Sequence, residues 1–306
     1  MGGTLCPPEK EIKMDGILLI NKPKDYTSHD IVAIVKKITK EKVGHTGTLD
    51  PNATGVLPLL IGKATGISKY LINHDKTYIA TLKLGIKTDT ADAEGKIISE
   101  KEVKDLNIEK VKKVLEEIIG KHEQIPPMYS AIKIKGKKLY EYARMGKSVA
   151  VKPRKIEIYN TKLLDFDKKE NEIIFKIECS KGTYIRTVCE EIAEKLDTVG
   201  FMKELERIKV GEFSIDQTVG IDDIRKNEDI INEKIITLES FFNNKESIIL
   251  EESKLKLFLN GVLLEQDKTN GTYKIYSSYN FIGTGIIENK KLKRDIIIWH
   301  KNEKVI

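Results

Sequence analysis

Cysteine is scarce in this chain of 306 residues: there are three, Cys6, Cys179 and Cys189, and no two form a C-x-x-C pair. A disulfide framework is therefore excluded. The five histidines (His29, His45, His74, His122 and His300) show no ligand spacing with the cysteines or with one another, which removes a sequence-encoded zinc site as well. No apolar run reaches the length that spans a bilayer, and no basic-then-apolar leader opens the chain. MGGTLC fails the myristoylation pattern because Cys6 stands where Ser or Thr is needed. The expected compartment is the cytoplasm. Internal repeats and low-complexity tracts are missing too, and neither G-x-x-x-x-G-K-[ST] nor G-x-G-x-x-G occurs in the chain's most glycine-rich stretch.

What is present is a globular composition with a heavily ionised surface: 40% of residues are apolar and 33% charged, which argues against disorder. The length suits a full core plus a smaller unit. Lys and Arg number 53 against 47 Asp and Glu, a net charge of +6 that by itself suits many proteins with no polyanionic partner. Its distribution is more informative. Nine basic residues (Lys133, Lys135, Lys137, Lys138, Arg144, Lys147, Lys152, Arg154 and Lys155) face a single acid, Glu141, between Lys133 and Lys155.

Residues 1–13 read as an N-terminal extension, with Met14 a natural start. Ile17 to Ile20 is a continuous apolar run of the kind a strand buried on both faces shows, ended by Lys22-Pro23. Thr27 and Asp30 fit a capping box, after which Ile31, Ile34, Val35 and Ile38 recur at helical spacing. Tyr78, Ala80, Leu82 and Leu84 alternate as in a strand with one buried face, and Ile108, Val111, Leu115 and Ile118 space out a helix that Gly120 can close. Residues 154–165 and 171–186 predict an antiparallel hairpin whose period of two puts Tyr184 and Arg186 on one strand face. Thr187 with Glu190 predicts a second capping box opening a helix through Leu196, and Leu205 falls on what reads as a helical segment. Beyond about residue 240, Asn260-Gly261, Asn270-Gly271 and Gly283-Thr284-Gly285 punctuate short apolar runs, which predicts a small β domain.

GHTGTLDPNATGVLPLLIGKATG, residues 44–66, carries five glycines, so its backbone can make turns and close approaches. Within it Asp50-Pro51 fits a helix N-cap followed by proline at the first helical position, and equally a loop presenting a carboxylate. Read alone, the stretch leaves both open.

This stretch resembles the signature of the TruB family of tRNA pseudouridine-55 synthases, in which the Asp of the L-D-P triplet is catalytic. GILLINKP (16–23), DKTYIATLKLGIKTDTADAEG (75–95), QIPPMYSAIKIKGKKLYEYAR (124–144), SKGTYIR (180–186) and the Leu205 to Phe213 segment resemble family blocks in family order, covering about residues 14–213. The resemblance implies an α+β pseudouridine synthase fold with a mixed, largely antiparallel sheet over residues 14–243. A small C-terminal PUA-like RNA-binding β domain over 244–306 is implied with it. It also implies isomerisation of uridine 55 in the tRNA T loop on a flipped-out base, without cofactor or metal. Nothing in the sequence demands a protein partner or a membrane, so a monomer acting on tRNA is expected.

By the same resemblance Asp50 is the catalytic carboxylate, adding to the base or serving the sugar, and Arg186 is the cation that keeps it ionised. Tyr78 stacks on the base and assists proton removal at carbon 5, Tyr184 and Leu205 line the pocket, and His45 contacts the rearranged RNA loop. The basic segment Lys133–Lys155, interleaved with Tyr140 and Tyr142, reads as phosphate contact with stacking surfaces. Lys290, Lys291, Lys293 and Arg294 suit the acceptor stem or simply a charged turn. The chain departs from the family in one place: Leu205-Glu206-Arg207 stands where Leu-Arg-Arg is usual, putting an acid near the RNA side. The rival readings are a guide-RNA-dependent, dyskerin-like enzyme and a tRNA-binding folding factor that has lost its chemistry.

Overall fold

The computed structural model describes residues 14–130, 132–147 and 149–299; the expected extension at 1–13 lies outside them. The chain opens with β1 (Gly16–Lys22), and every residue from Gly16 to Ile20 is buried, as the apolar run requires. Helix α1 (Ser28–Thr39) follows with the Thr27/Asp30 capping box formed in both directions. Next come β2 (Val43–His45) and β3 (Thr54–Ile61), then a 3-10 turn (Gly62–Ile67), the single-turn helix α2 (Ser68–Leu71) and β4 (Lys76–Leu84). A hairpin of β5 (Ile86–Thr88) and β6 (Ile97–Glu100) leads to α3 (Ile108–Glu117) and β7 (Gly120–Gln124). The basic segment forms β8 (Lys133–Ile134), β9 (Lys137–Lys138) and α4 (Leu139–Arg144). The long pair β10 (Arg154–Asp167) and β11 (Glu172–Cys179), helix α5 (Ile185–Lys195) and β12 (Gly200–Val210) complete the central body.

The main sheet is mixed, with eleven strands among the described residues. Along its path the short strand Val219–Gly220 is followed by β1, β3, β12, β4, β11, β10 and β7. Two pairings are parallel, β1 with Val219–Gly220 and β3 with β12, and the rest antiparallel, so the expected α+β fold is the one observed. Helices α3 and α5 cover one face: Val111, Leu115, Ile118, Val188 and Ile192 pack on Ala80, Leu82, Ile173 and Phe175 in one cluster. Helix α1 closes a second cluster through Ile31 and Val35 against Leu18, Ile20, Leu57 and Leu59. Each apolar stripe predicted by periodicity is thus spent on core formation.

A second sheet has five strands, in the order Ser247–Ile249, Gly271–Ser277, Asn280–Glu288, Lys291–Ile297, Leu264–Glu265, around Phe258, Ile275, Ile282, Ile287 and Leu292. This is the small PUA-like β unit expected beyond residue 240. Asp295 fastens it to the first body, accepting from Lys69 and from the Tyr70 hydroxyl at 2.6 Å, and is held within its own sheet by Thr284 at 3.1 Å. The Lys63 ammonium donates to the carbonyls of Ile298 and Trp299 at 2.8 and 3.0 Å.

Five expectations need correction. The strand leading to SKGTYIR stops at Cys179, and α5 begins at Ile185, so Tyr184 and Arg186 do not share a strand face. Thr187 is not a cap, because it lies inside α5, whose N-cap is Tyr184 without a side-chain bond. Leu205 sits in the middle of the eleven-residue strand β12, not on a helix. Asp50-Pro51 caps no helix: the Ala53 N–H donates to the Asp50 carbonyl at 3.0 Å, closing a turn with proline at its second position that feeds β3. Gly120 opens β7 rather than closing α3, which ends at Glu117.

Candidate active site

A cleft of about 510 Å³ opens beside the 46–53 loop, lined by Asp50, Tyr78, Tyr184, Arg186, Leu205 and Arg207 among others. The loop that carries Asp50 is held on both sides of that residue. On one side the Ser28 hydroxyl accepts from the Leu49 N–H at 2.9 Å and donates to its carbonyl at 3.2 Å. On the other, the Lys22 ammonium donates to the carbonyls of Pro51, Pro23 and Tyr26 at 2.9, 2.9 and 2.6 Å. The backbone is therefore pinned where the side chain must point, which is how a site gains pre-organisation.

Asp50 meets Arg186 at 3.2 Å, and Arg186 bridges onward to Asp92 at 3.3 Å. The guanidinium also donates to the Tyr129 carbonyl at 2.8 Å and the Thr90 carbonyl at 3.3 Å. Arg186 is placed by the start of α5, where Gln124 takes the Tyr184 N–H at 2.8 Å and returns its own amide to the Tyr184 carbonyl at 3.1 Å. Asp50 is densely surrounded by protein, yet 40% of its side chain is reachable through the cleft mouth. Desolvation pushes its carboxyl above the ordinary range; Arg186 and Lys22 oppose the shift and Asp92 adds to it. Arg186 alone therefore does not return Asp50 to an ordinary carboxylate.

Tyr78 lies on β4 with 8% exposure and its ring on the cleft. Burial raises its phenol, and the neighbouring Arg207 opposes that shift. Leu205, paired with Ala80 across β12 and β4, supplies an apolar wall beside it. His45 does not line the cleft. It stands behind His29, which does, with ring centroids 5.4 Å apart in an edge-on contact. Burial lowers the His45 imidazole, and its Nδ1 has no partner among the described residues.

Sequence reasoning missed Lys22, Asp92, Gln124 and Arg207 as site residues. Arg207 is fully buried and donates to the carbonyls of Val56 at 2.8 Å and Gly47 at 2.9 Å. It joins β12 to β3 where the two strands pair, at Glu206–Thr54 and Arg207–Gly55. Gly55, at φ +101°, is required there, since a Cβ would lie 2.2 Å from the Arg207 carbonyl oxygen. In the departing triplet, then, Arg207 is internal and Glu206 is half-buried beside it. Arg207→Ala is expected to lower unfolding free energy by about 2 kcal/mol in urea denaturation, because two buried carbonyls lose a charged donor while the relief of desolvating the guanidinium offsets part of the loss. An unchanged midpoint would contradict that role.

Burial depresses Lys22 to about 8, with Asp50 the strongest influence restoring it. The basic segment stands across the cleft, where the Lys138 ammonium and the Arg144 guanidinium lie 5.3 and 5.5 Å from the Tyr140 ring centre. Near the C-terminus Lys290 pairs with Asp267 and Lys293 with Glu288, both at 2.8 Å, and Arg294 donates to the Leu259 carbonyl. Those cations are partly committed within the protein. No group of three metal-ligating side chains occurs among the described residues, and no helix there is long and apolar enough to cross a membrane.

Residues 35–185 match the family model described as TruB family pseudouridylate synthase (N terminal domain). Among curated relatives, the tRNA pseudouridine synthase B of Clostridium tetani (strain Massachusetts / E88) is 45% identical over 279 residues, covering 89% of this chain and 95% of its own. That of Aquifex aeolicus (strain VF5) is 42% identical over 275 residues, covering 89% and 95%. The fold also matches a chain in the structure of an H/ACA RNP bound to a substrate RNA containing 2′-deoxyuridine, at TM-score 0.67 and 22% identity over 97% of this chain and 89% of that one. A chain of the archaeal box H/ACA sRNP Nop10-Cbf5 complex matches at TM-score 0.67 and 22% identity, covering 97% and 90%. With identity this high across nearly the whole length, and a signature loop folded around a solvent-reachable carboxylate, the chain belongs to the TruB family of pseudouridylate synthases.

Proposed function

We propose that this chain isomerises uridine 55 of the tRNA T loop to pseudouridine, with Asp50 as the catalytic carboxylate. The observation that carries the reading is the Asp50 side chain at the base of a cleft of nucleoside size, ion-paired to Arg186 and walled by Tyr78, Tyr184 and Leu205. Extruding a base from a folded loop costs a few kcal/mol of stacking and pairing, and the aromatic and apolar walls offset part of that cost. The reaction breaks the bond from N1 to C1′ and forms one from C5 to C1′. A proton leaves C5 and one is gained at N1, so nothing is oxidised or reduced. Asp50 serves it either by adding to the base or by acting on the sugar, and both routes need the ionised carboxylate that Arg186 favours.

Burial keeps the Tyr78 phenol protonated near neutrality, which supports a stacking wall in the free enzyme. Loss of the C5 proton to Tyr78 would require its own proton to leave first, and Arg207 is the cation beside it that eases this step. His29 faces the cleft with His45 edge-on behind it, so contact of this pair with the rearranged RNA loop runs through His29. We further read residues 14–243 as the catalytic domain and 244–306 as a PUA-like RNA-binding domain, the chain working as a cytoplasmic monomer on tRNA. The deciding experiment gives purified protein a synthetic T-stem-loop with no guide RNA and maps the product. Pseudouridine at position 55 alone is the expected result. Dependence on an added guide RNA, or binding without conversion by the native chain, would overturn the reading.

A further inference from the structure

The cleft has cations outside the basic segment too. On the side away from the basic segment its wall carries Ile72, Lys76, Lys181, Gly182 and Thr183. Lys76 and Lys181 have no ion-pair partner among the described residues, and each makes one side-chain hydrogen bond to a neutral oxygen, the His74 carbonyl and the Asn73 side chain respectively. Asp75, the acid nearest in sequence, accepts from the Tyr159 hydroxyl at 3.2 Å. The turn in that wall places Gly182 at φ +80°, with open space where a Cβ would be, and the N–H groups of Lys181 and Gly182 meet no acceptor among the described residues. Beyond Asp50 the adjoining recess is lined by Asp89, Asp92 and Glu94 together with Lys96, Arg144 and Arg186, the last already paired with Asp92.

Lys76 is half-buried, two residues before Tyr78 on β4, so the two side chains leave the same face of the strand roughly 7 Å apart. Burial depresses the Lys76 ammonium, the nearby Arg207 and Lys181 depress it further, and Asp75 restores it in part. Its charge therefore sits where an incoming anion relieves strain of an electrostatic kind. A nucleotide whose base lies on Tyr78 can carry its backbone out of the cleft along this wall, where Lys76 and Lys181 are free of acidic partners among the described residues.

We propose that Lys76 and Lys181, with the Lys181–Gly182 turn, form a phosphate-binding subsite for one of the two phosphates that flank the extruded uridine. The subsite fixes which way the nucleotide enters, so that the sugar is presented to Asp50 in one orientation. It rests on the reading of the cleft as a uridine site.

The test pairs lysine variants with backbone-neutralised RNA. T-stem-loops are made with a methylphosphonate at the 5′ or the 3′ flanking phosphate, and Lys76→Gln and Lys181→Gln are compared with the native chain on each. On natural RNA each variant is expected to weaken binding and raise KM roughly tenfold, and to reduce the slope of log affinity against log salt by about one contact's worth. With one of the two neutral linkages the native chain falls to the level of the variant, and Lys76→Gln causes no further loss. A Lys76→Gln loss of equal size on both neutral linkages and natural RNA would overturn the proposal, as would variants indistinguishable from the native chain. Lys76→Arg is expected to recover most of the binding. A native chain that makes no pseudouridine on natural RNA would instead sink the uridine reading, so the two failures are distinguishable.

Discussion

Asp50→Asn is expected to lower pseudouridine formation by about four orders of magnitude or more, the scale seen when a reacting group is removed and its surroundings are kept. Amide and carboxylate share a shape, and Ser28, Lys22 and Arg207 hold the loop through backbone atoms of Leu49, Pro51 and Gly47, so the cleft survives the change. RNA affinity should stay within about threefold of native, since one contact of a large interface is altered. The folded carboxyl is raised above its ordinary value. Its contribution to stability is therefore fully present at low pH and lost as pH rises through the folded value. At pH 7 the variant should melt no lower than the native chain. Tritium release from C5-labelled uridine in single turnover, with RNA binding and melting measured in parallel, makes the comparison. Product formed at the native rate would remove Asp50 from the chemistry.

Arg186→Gln should come next in size, costing activity about 10³-fold near neutrality. Two effects act together. Asp50 loses the cation that most lowers its carboxyl, so the acid limb of the pH–rate profile, already above the ordinary carboxylate range, should move up by a further one to three pH units. Asp92 loses its partner as well, and the two carbonyls at Thr90 and Tyr129 lose their donor. Breaking a pair this buried costs about 3 kcal/mol of stability. Arg186→Lys should hold the limb closer to its native position while still losing the fork that reaches both acids. A limb that does not move in Arg186→Gln would show that Arg186 positions Asp50 without tuning it.

Periodicity made much of the body legible: β1, α1, β4 and the β10–β11 hairpin each bury the stripe that their apolar spacing marks. Where local pattern and tertiary packing disagree, the sequence misled. T-Y-I-R alternates like a strand, and Thr187/Glu190 imitates a cap, but α5 starts three residues earlier, where Gln124, 60 residues away in sequence, clamps the N–H and carbonyl of Tyr184 at the helix start. The cap reading of Asp50-Pro51 failed for a similar reason, since the pinned turn, not a helix, satisfies the loop's backbone. Lys22 and Arg207 are cations at strand positions, where exposure is the ordinary expectation. Carbonyl acceptors make burial tolerable, near in sequence for two of the three that Lys22 reaches but far for Arg207, and no local spacing announces an acceptor 151 residues away. The family blocks did enclose these residues; their roles became visible only in space.

The strand junction at Gly55 and Arg207 has a consequence for how the chain comes off the ribosome. Asp50 is synthesised early, whereas Arg186 lies 136 residues later, and the donor to the Gly47 carbonyl lies 160 residues beyond its acceptor. Contacts of such sequence separation form late, because loop closure precedes any gain from them. A nascent chain that has already exposed GHTGTLDP therefore owns a carboxylate without its cation and a loop without its tether. Competence toward RNA arrives only as β12 docks between β3 and β4, so catalysis doubles as a report that the central sheet has closed.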